Sequence, residues 1–409
     1  MSSHCGPPPD WTNAFEEPFR DAFFETVRAL QLDRLGVYPP PKRGGLFVGH
    51  ELRILRRFLA RQSSSLDPSG LSRVYRALAT SSQRLLYRAF VTGDPLTAPQ
   101  WSELIGSETR QSWAERDLFA EHVGARLSLR LRIVAVNGLV LVVDPPARSI
   151  HLRVHIGQDS LNMLEFVRRR WRRSGRRLLD VGTGSGLLLA ALGDNFDDAL
   201  GVDVNQRAVR LARLNIELNE RSKCRVADAD VFVPEAIAGP FDLVTWNTPF
   251  MFFPDNEAAA NVDGAGGHLG IATTLRFVDR LPNLLDDRGE AYLLSAAPIM
   301  DDGHDGLQSE LVARSERWQM DITMHVLQAF WVPSLAEFHR GFGIRRFESV
   351  MLRIARGRGS MRRIAPAVPR RMVDFARGVL YDLRWGNSVR PKQRGAGVEP
   401  SEAPASYTP

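Results

Sequence analysis

The chain has 409 residues, of which 44% are hydrophobic and 24% are charged. These are ordinary globular proportions, so they exclude a wholly disordered or fibrous protein, and the length predicts two or three domains. No uninterrupted apolar run of about 18 residues occurs, which excludes a membrane-spanning helix. The two cysteines, Cys5 and Cys224, are far apart in the sequence. They offer neither a disulfide framework nor a zinc site, so we predict no metal and a cytoplasmic location.

The chain carries a small excess of positive charge. It has 53 basic and 47 acidic residues, a formal net charge of +6 and a pI near 9.7. Its only lysines are Lys42, Lys223 and Lys392, so nearly all the basic residues are arginine, a bias typical of a GC-rich genome. A nucleic-acid partner is therefore an open alternative, but an excess of this size does not by itself favour one.

Both ends of the chain are poor in apolar residues. Met1 to Asp10 are polar and Pro-rich and lack the apolar segment of a secretory signal. Residues 1–12 predict a disordered tail. At the other end, residues 358–409 predict one amphipathic helix near Pro369 to Trp385, with a second disordered tail from residue 387.

Residues 13–149 predict a mainly helical N-terminal domain. Apolar residues recur at helical spacing from Trp11 to Leu66 and from Leu71 to Val91. Thr97 is expected to cap a short helix, and a further helix is expected near Ser112 to His122.

A hairpin is predicted at the end of this domain. Alternating residues lead from Leu127 to Val134, and Asn137-Gly138 predicts a tight turn before Leu139 to Val143. Three short helices followed by a hairpin resemble a winged helix. We expect such a module to serve as a lid or in dimerisation, with nucleic-acid docking as the alternative.

Residues 150–357 predict an α/β domain, entered through a Pro-containing linker at residues 145–150. Short apolar strands alternate with helices, which predicts a mostly parallel sheet covered by helices on both faces. The predicted strands are Leu178 to Val181, Ala199 to Val204, Leu243 to Trp246, Ala291 to Ser295, Ile322 to Val326 and Ser349 to Ile354.

A glycine-rich loop follows the first of these strands. Asp180 opens a D-x-G-x-G-x-G pattern whose loop residues are Gly182, Thr183, Gly184 and Gly186. Glycines allow a sharp turn and a close approach to a ligand, and the helix that follows offers free amides. Seventeen residues beyond Gly186, a second strand ends at Asp203, where a carboxylate can accept both hydroxyl hydrogens of a ribose.

This spacing resembles motif I of the class I S-adenosylmethionine-dependent methyltransferases rather than the NAD fingerprint. The resemblance implies a Rossmann-like methyltransferase core with S-adenosylmethionine as its cofactor. It implies that the glycine loop meets the methionine part of the cofactor, that Asp180 holds the loop near the cofactor's amino group, and that Asp203 binds the ribose. A third acid is expected at the adenine, and Asp230 is the first candidate, with Asp228 in reserve.

A second motif follows the strand near Leu243 to Trp246. Its residues are Asn247, Thr248, Pro249 and Phe250. The motif resembles the Asn-Pro-Pro-Tyr/Phe motif of HemK-type methyltransferases, which modify glutamine amides in release factors, and of enzymes that methylate amino groups of nucleic acids. A planar nitrogen suits such a site, because the Asn247 side chain and the Thr248 carbonyl could accept its two hydrogens while Phe250 stacks on the acceptor. Asn247 is also expected to border the cofactor.

The resemblance extends over about residues 150–357. Val154 to Leu161 resembles the segment that covers the cofactor in HemK-type enzymes, and Asp263 to Gly270 resembles their Gly-rich turn. Thr248 departs from the family pattern, which has proline there, so the aim of its backbone carbonyl is an open question. We expect most of the aromatic residues around the motif to be core, with one or two free to face the cationic sulfonium.

The leading prediction is S-adenosylmethionine-dependent N-methylation of an amide or amino nitrogen on a small metabolite, peptide or protein side chain. One alternative is an enzyme that cyclises the cofactor's own aminocarboxypropyl arm and releases 5′-methylthioadenosine. Another is a nucleic-acid base N-methyltransferase, and a third is a binding protein without activity. The sequence predicts neither the acceptor's identity nor the oligomeric state.

Overall fold

The protein is described by a computed structural model that covers residues 10–32, 85–136, 138–145, 153–258, 264–330 and 332–365. Several predicted features lie outside these residues. They are the helical pattern over 33–66 and 71–84, most of the linker at 145–150, the helix near Pro369 to Trp385 and the tail from residue 387.

The N-terminal part combines short helices with short strands. A 3-10 helix spans Trp11–Ala14 and a π-helix spans Tyr87–Thr92. The α-helices are α1 Phe19–Ala29, α2 Ala98–Ile105 and α3 Ser107–Glu115. The strands are β1 Leu96–Thr97, β2 Phe119–His122, β3 Arg126–Leu129, β4 Arg132–Val136 and β5 Leu139–Val143.

The structure confirms the predicted cap and corrects the helix and strand that follow it. Thr97 caps α2 in a capping box with Gln100. The helix predicted near Ser112 to His122 is wrong beyond Glu115, because Phe119–His122 pairs with β3 as a strand. The alternating run from Leu127 to Val134 is two strands. Within the described ranges, β3 pairs with β1 and β2, whereas β4 pairs with β5 alone.

An eight-stranded mixed sheet forms the centre of the described chain, with the order β13-β11-β12-β10-β9-β6-β7-β8. Strands β6 to β10 run parallel, and β12 runs antiparallel to both β10 and β11. The strands are β6 Gly175–Val181, β7 Phe196–Asp203, β8 Cys224–Asp228, β9 Phe241–Asn247, β10 Leu285–Met300, β11 Met320–Phe330, β12 Ile344–Arg356 and β13 Met361–Ile364.

Helices cover both faces of this sheet. The helices are α4 Gln158–Arg170, α5 Leu187–Leu192, α6 Gln206–Leu218, α7 Asp255–Ala258, α8 Ala272–Val278, α9 Leu281–Leu284, α10 Gly306–Trp318 and α11 Ala336–Gly341. Successive strand residues bury opposite faces, so Leu178 packs with α4, α5 and α6 while Leu179 packs with α8, α9 and α10. This arrangement confirms the predicted Rossmann-like α/β fold, and all six predicted strands are present.

Two predicted boundaries differ from the structure. The sheet continues past residue 357, because β13 pairs with β11 through Ile322↔Met361 to His325↔Ile364. At the other end, Asp10 to Thr12 are not part of a loose tail, since Trp11 is buried and Asp10 caps the first 3-10 helix.

The predicted hairpin is present, since Val136 pairs with Leu139, and Asn137 in its turn lies outside the described residues. It packs on helix α6, because Asn215 and Asn219 use their side-chain amides to pair with the backbone of Val142 and Val140. Helices α2 and α3 instead lie between β1 and β2 of the separate three-stranded sheet β1-β3-β2. The strands that follow these helices are therefore not the hairpin that the sequence predicts as a wing.

Candidate active site

The predicted motifs meet at one edge of the sheet. Strands β9, β6 and β7 are parallel neighbours, and they end at Asn247, Val181 and Asp203 respectively. Their carboxyl ends therefore bring the glycine loop, the carboxylate of Asp203 and the Asn247 motif to the same edge. This is where open α/β sheets bind ligands.

Asp180 lies beneath this edge and is buried. Its carboxylate accepts hydrogen bonds from the hydroxyls of Thr183, at 2.8 Å, and Thr245, at 2.7 Å. Burial raises the pKa of Asp180 to about 6, although these hydroxyl donors favour its ionised form. Asp180 thus ties the glycine loop to the neighbouring strand β9 through Thr183 and Thr245. Thr245 is a contact that the sequence analysis did not identify.

The glycine loop leaves open space above it. Gly182, Gly184 and Gly186 all have positive φ, at 55°, 55° and 75°, which favours glycine. A Cβ on Gly182 would lie 2.8 Å from Trp246 Nε1, and one on Gly186 would lie 3.4 Å from Ala212 Cα. Around Gly184 the nearest atom to such a Cβ is Gly182 O, at 3.8 Å. The loop is therefore packed from below and open at its middle glycine, as a cradle for a ligand requires.

Asp203 is tied to the same loop. Its Oδ2 accepts from Gly184 N at 2.9 Å, and its Oδ1 accepts from Asn205 N at 2.9 Å. Burial raises its pKa, with a smaller contribution from the carboxylate of Asp228, which faces Asp203 in the β7–β8 register. Each oxygen keeps lone-pair capacity for a further donor, such as a ribose hydroxyl.

The two candidates for the adenine lie differently. Asp228 ends β8 directly beside Asp203, whereas Asp230 lies two residues farther along. Asp230 is exposed, and its Oδ1 accepts from Phe232 N at 2.8 Å. The structure brings Asp228 close to Asp203, while Asp230 is held in its own turn.

Asn247 presents a polar atom without a partner. Its Nδ2 donates to Ser160 Oγ at 3.2 Å, in the first turn of α4. Its Oδ1 is buried and, among the residues that the structure describes, accepts no hydrogen bond. A buried acceptor left unsatisfied is costly, and a donor from a bound ligand would relieve it. The sequence places Ser160 in the segment expected to cover the cofactor, but it does not reveal the contact with Asn247, which lies 87 positions away.

Thr248 is held firmly, although it stands where the motif that this segment resembles has proline. Its N and Oγ1 both donate to Leu294 O, at 3.0 and 2.8 Å. The hydroxyl also lies 3.0 Å from Thr274 Oγ1, which in turn lies 2.8 Å from Ser295 Oγ. These three hydroxyl residues are buried, so they form a small polar network under the motif. Two bonds to one carbonyl thus constrain a backbone that proline would constrain through its ring.

The Gly-rich turn supports the backbone of Phe250 and Met251. Met251 N donates to Gly264 O and Gly266 N donates to Met251 O, both at 2.8 Å. A Cβ on Gly270 would lie 2.5 Å from Phe250 O, so only glycine allows this approach. The turn therefore fixes the segment after Pro249, and the half-buried Phe250 ring lies beside Phe330.

Two of the aromatic residues near the motif are core, as expected. Trp246 is buried, and its ring is 4.7 Å from that of Phe277, edge-on. Phe252 is buried, with its ring 4.8 Å from Phe338 and 4.9 Å from Phe342.

Residues 155–284 match the family model described as the methyltransferase small domain. Over 91 residues the chain is 41% identical to the release factor glutamine methyltransferase of Rhodospirillum rubrum, covering 21% of this chain and 26% of that one. It is 31% identical over 126 residues to the Streptococcus pneumoniae protein of the same name, covering 28% and 44%. It is 31% identical over 96 residues to the rRNA N(6)-adenosine-methyltransferase metl-5 of Caenorhabditis elegans, covering 22% and 45%.

The chain thus spans less than half the length of each of these relatives. The family match confirms the predicted resemblance to methyltransferases, and S-adenosylmethionine is the cofactor that this resemblance implies. The open cradle at Gly184, the free lone pairs of Asp203 and the unsatisfied Oδ1 of Asn247 fit that cofactor and a planar acceptor beside it. None of the helices in the described ranges is long and apolar enough to cross a membrane.

Proposed function

We propose that the protein transfers a methyl group from S-adenosylmethionine to a planar amide or amino nitrogen of a small metabolite, peptide or protein side chain. The observation that carries this proposal is the buried Oδ1 of Asn247, which lacks a partner in the described chain. Two relatives are named release factor glutamine methyltransferases, which supports an amide as the acceptor and a protein side chain as its carrier.

In this proposal Asn247 orients the acceptor. Ser160 Oγ accepts a hydrogen bond from Asn247 Nδ2. This leaves Asn247 Oδ1 to accept a hydrogen bond from the nitrogen of the methyl acceptor. Held this way, the nitrogen presents its lone pair toward the cofactor instead of keeping it delocalised in the planar group. Phe250, backed by the Gly-rich turn, offers a ring face against which a planar acceptor can lie.

The cofactor residues are the glycine loop and Asp203. S-adenosylmethionine would supply an activated methyl group on its sulfonium. Gly182, Gly184 and Gly186 would hold its methionine part, and Asp203 would accept from its ribose. Asp180 would act from below by fixing Thr183, and Asp228 or Asp230 would meet the adenine.

A nucleic-acid base is the second candidate acceptor. The relative named as an rRNA N(6)-adenosine-methyltransferase is as similar in identity as the Streptococcus pneumoniae glutamine methyltransferase. An exocyclic amine is also a planar nitrogen with two hydrogens, so the same Asn247 geometry would accept it.

The proposal predicts different effects on cofactor affinity and turnover for two substitutions. Asn247→Ala should leave S-adenosylmethionine affinity within about twofold while lowering turnover roughly 100-fold or more, because only the orientation of the acceptor is lost. Asp203→Ala should weaken cofactor affinity about tenfold or more, because a hydrogen-bonded charged partner is lost. Calorimetry measures the affinities, and S-adenosylhomocysteine formation measures turnover. Full activity of Asn247→Ala would exclude the role given to its amide.

A further inference from the structure

The C-terminal end of helix α4 and the start of β6 carry an unusual concentration of positive charge. Seven arginines lie between residues 168 and 177. Arg169, Arg176 and Arg177 pair with the carboxylates of nearby acids, at 2.5 to 3.7 Å. In the part of the chain that the structure describes, Arg168, Arg170, Arg172 and Arg173 form ion pairs with no carboxylate.

These four side chains are nevertheless held in place. Arg168 donates to Ala191 O at 3.0 Å, Arg172 donates to Arg169 O at 3.1 Å, and Arg173 donates to Arg288 O at 2.5 Å. The Arg170 guanidinium stacks 3.5 Å from the Phe166 ring centroid. Carbonyls and ring faces orient these guanidinium groups without cancelling their charge. Glu165 acts on Arg168 and Glu290 acts on Arg173 from beyond ion-pair distance, so the positive potential here is fixed and only partly offset.

Two strand residues extend this charge across the adjoining sheet face. Arg353 on β12 and Arg362 on β13 flank His325, together with Arg170. Burial and these three arginines lower the pKa of His325 to about 4, so the imidazole adds no charge at neutral pH. Arg353 is paired with Glu290, whereas Arg362 is exposed and, within the described ranges, has no ion-pair partner.

The patch lacks the apolar residues of a protein interface. The large hydrophobic side chains that are exposed in the described chain are Val123, Val204, Val233, Val312 and Phe342, and none belongs to α4, β6, β12 or β13. Protein interfaces normally contain an apolar or aromatic centre. Oriented arginines without such a centre instead suit a polyanionic backbone, whose binding is electrostatic.

Helix α4 also connects this surface with the candidate active site. Its first turn contains Ser160, which contacts Asn247, and its last turn contains Arg168 to Arg170. The helix rises about 15 Å between Ser160 and Arg170, a distance that a few nucleotides span.

From these observations we propose that Arg168, Arg170, Arg172, Arg173 and Arg362 form a docking surface for the phosphate backbone of a nucleic acid. Phosphates on this surface would leave a nucleotide a few positions along the strand within reach of Asn247. Methylation of that nucleotide rests on the proposed function, whereas the binding itself does not, so the two are tested separately.

The binding test uses a fluorescein-labelled single-stranded RNA of mixed sequence, with fluorescence anisotropy followed over a salt series. The test variant combines Arg170→Gln, Arg173→Gln and Arg362→Gln. The matched control combines Arg20→Gln, Arg130→Gln and Arg314→Gln, which removes the same charge from arginines that pair with acids elsewhere. Thermal unfolding checks that all three proteins are folded.

The wild type should bind the RNA more weakly as salt rises, with log affinity falling linearly against log salt. The test variant should lose roughly tenfold or more in affinity at low salt, and its slope should fall by about 2 to 3, since three phosphate contacts are removed. The control should keep the wild-type slope. Three results would each overturn the docking surface. They are a wild type that does not bind RNA, an equal loss of RNA affinity in the test and control variants, and tight binding of polyglutamate in place of RNA. If the protein binds the RNA but does not methylate it, the proposed docking surface is supported and only the nucleic-acid acceptor is contradicted.

Discussion

Thr248 shows how one residue can depart from a family pattern and still hold the same position. Proline would fix the backbone through its ring, whereas Thr248 uses its N–H and hydroxyl on Leu294 O. The departure is visible in the sequence, but its compensation is not. Leu294 lies on another strand, 46 positions away, and nothing in the local pattern indicates that contact.

Removing the hydroxyl should therefore weaken the motif. We expect Thr248→Val to cost about 1 to 2 kcal/mol in unfolding free energy, because a buried hydrogen bond is lost and Thr274 loses a hydroxyl neighbour. Turnover should fall while cofactor affinity holds. Thr248→Ser, which keeps the hydroxyl, should restore most of the turnover. Chemical denaturation measures the unfolding free energy, and steady-state kinetics measure turnover. Equal turnover by the valine and serine variants would contradict a positioning role for the hydroxyl.

At the scale of elements, helix α6 links the β4–β5 hairpin to the cofactor loop. Asn215 is fully buried and bonds Val142 N, Val142 O and Ser185 O, at 2.7 to 2.9 Å. Asn219, one turn later, bonds Val140 and its own helix, but not the loop. Both side chains therefore hydrogen-bond the hairpin, but of the two only Asn215 also hydrogen-bonds the cofactor loop.

This difference yields a matched pair of variants. Asn215→Leu should destabilise the protein by about 2 to 4 kcal/mol, because it leaves buried backbone groups without partners. It should also lower S-adenosylmethionine affinity, since Ser185 adjoins Gly184 and Gly186 in the loop. The half-buried Asn219→Leu should cost less stability and leave cofactor affinity near the wild-type value. Similar affinities in the two variants, measured by calorimetry under conditions where both are folded, would show that Asn215 does not support the loop.

The central sheet was more predictable than the contacts between elements. Apolar strand segments, the glycine loop and the Asn247 motif are local patterns, and β6, β7 and β9 form where they indicate. The errors fall where a short segment is a strand because of the strand that pairs with it. Phe119–His122 is a strand because β3 lies beside it, and Met361–Ile364 is a strand because β11 does. Helical periodicity alone cannot reveal such pairings.

At the scale of the whole molecule, a buried carboxylate joins the chain's N-terminal segment to the cofactor half. Asp144 is fully buried and accepts from Trp11 Nε1 at 3.0 Å, from Val154 N at 2.7 Å and from Arg207 Nη2 at 2.6 Å. Asp10 adds a second carboxylate to Arg207 and reaches Arg210. Residues 10–12, which the sequence places in a loose tail, are ordered by this network.

Breaking this network should loosen that segment. We expect Asp144→Ala to cost about 3 to 5 kcal/mol, because it leaves the largely buried Arg207 with a weaker counter-charge. Limited proteolysis near Trp11 should become faster. Arg221→Ala, which removes a more exposed ion pair with Asp194, should cost about 0 to 1 kcal/mol and leave the proteolysis rate unchanged. If the two variants lost similar amounts of stability, the role of Asp144 in joining the N-terminal segment to the cofactor half would be contradicted.

The most direct test of the proposed activity is the fate of S-adenosylmethionine itself. Purified protein is incubated with the cofactor alone, with the cofactor and glutamine-containing peptides, and with the cofactor and RNA, and the products are separated by mass spectrometry. The account predicts S-adenosylhomocysteine only when an acceptor is present, with a matching mass gain of one methyl group on that acceptor. Release of 5′-methylthioadenosine from the cofactor alone, well above a protein-free blank, would contradict methyl transfer and favour cyclisation of the cofactor's own arm.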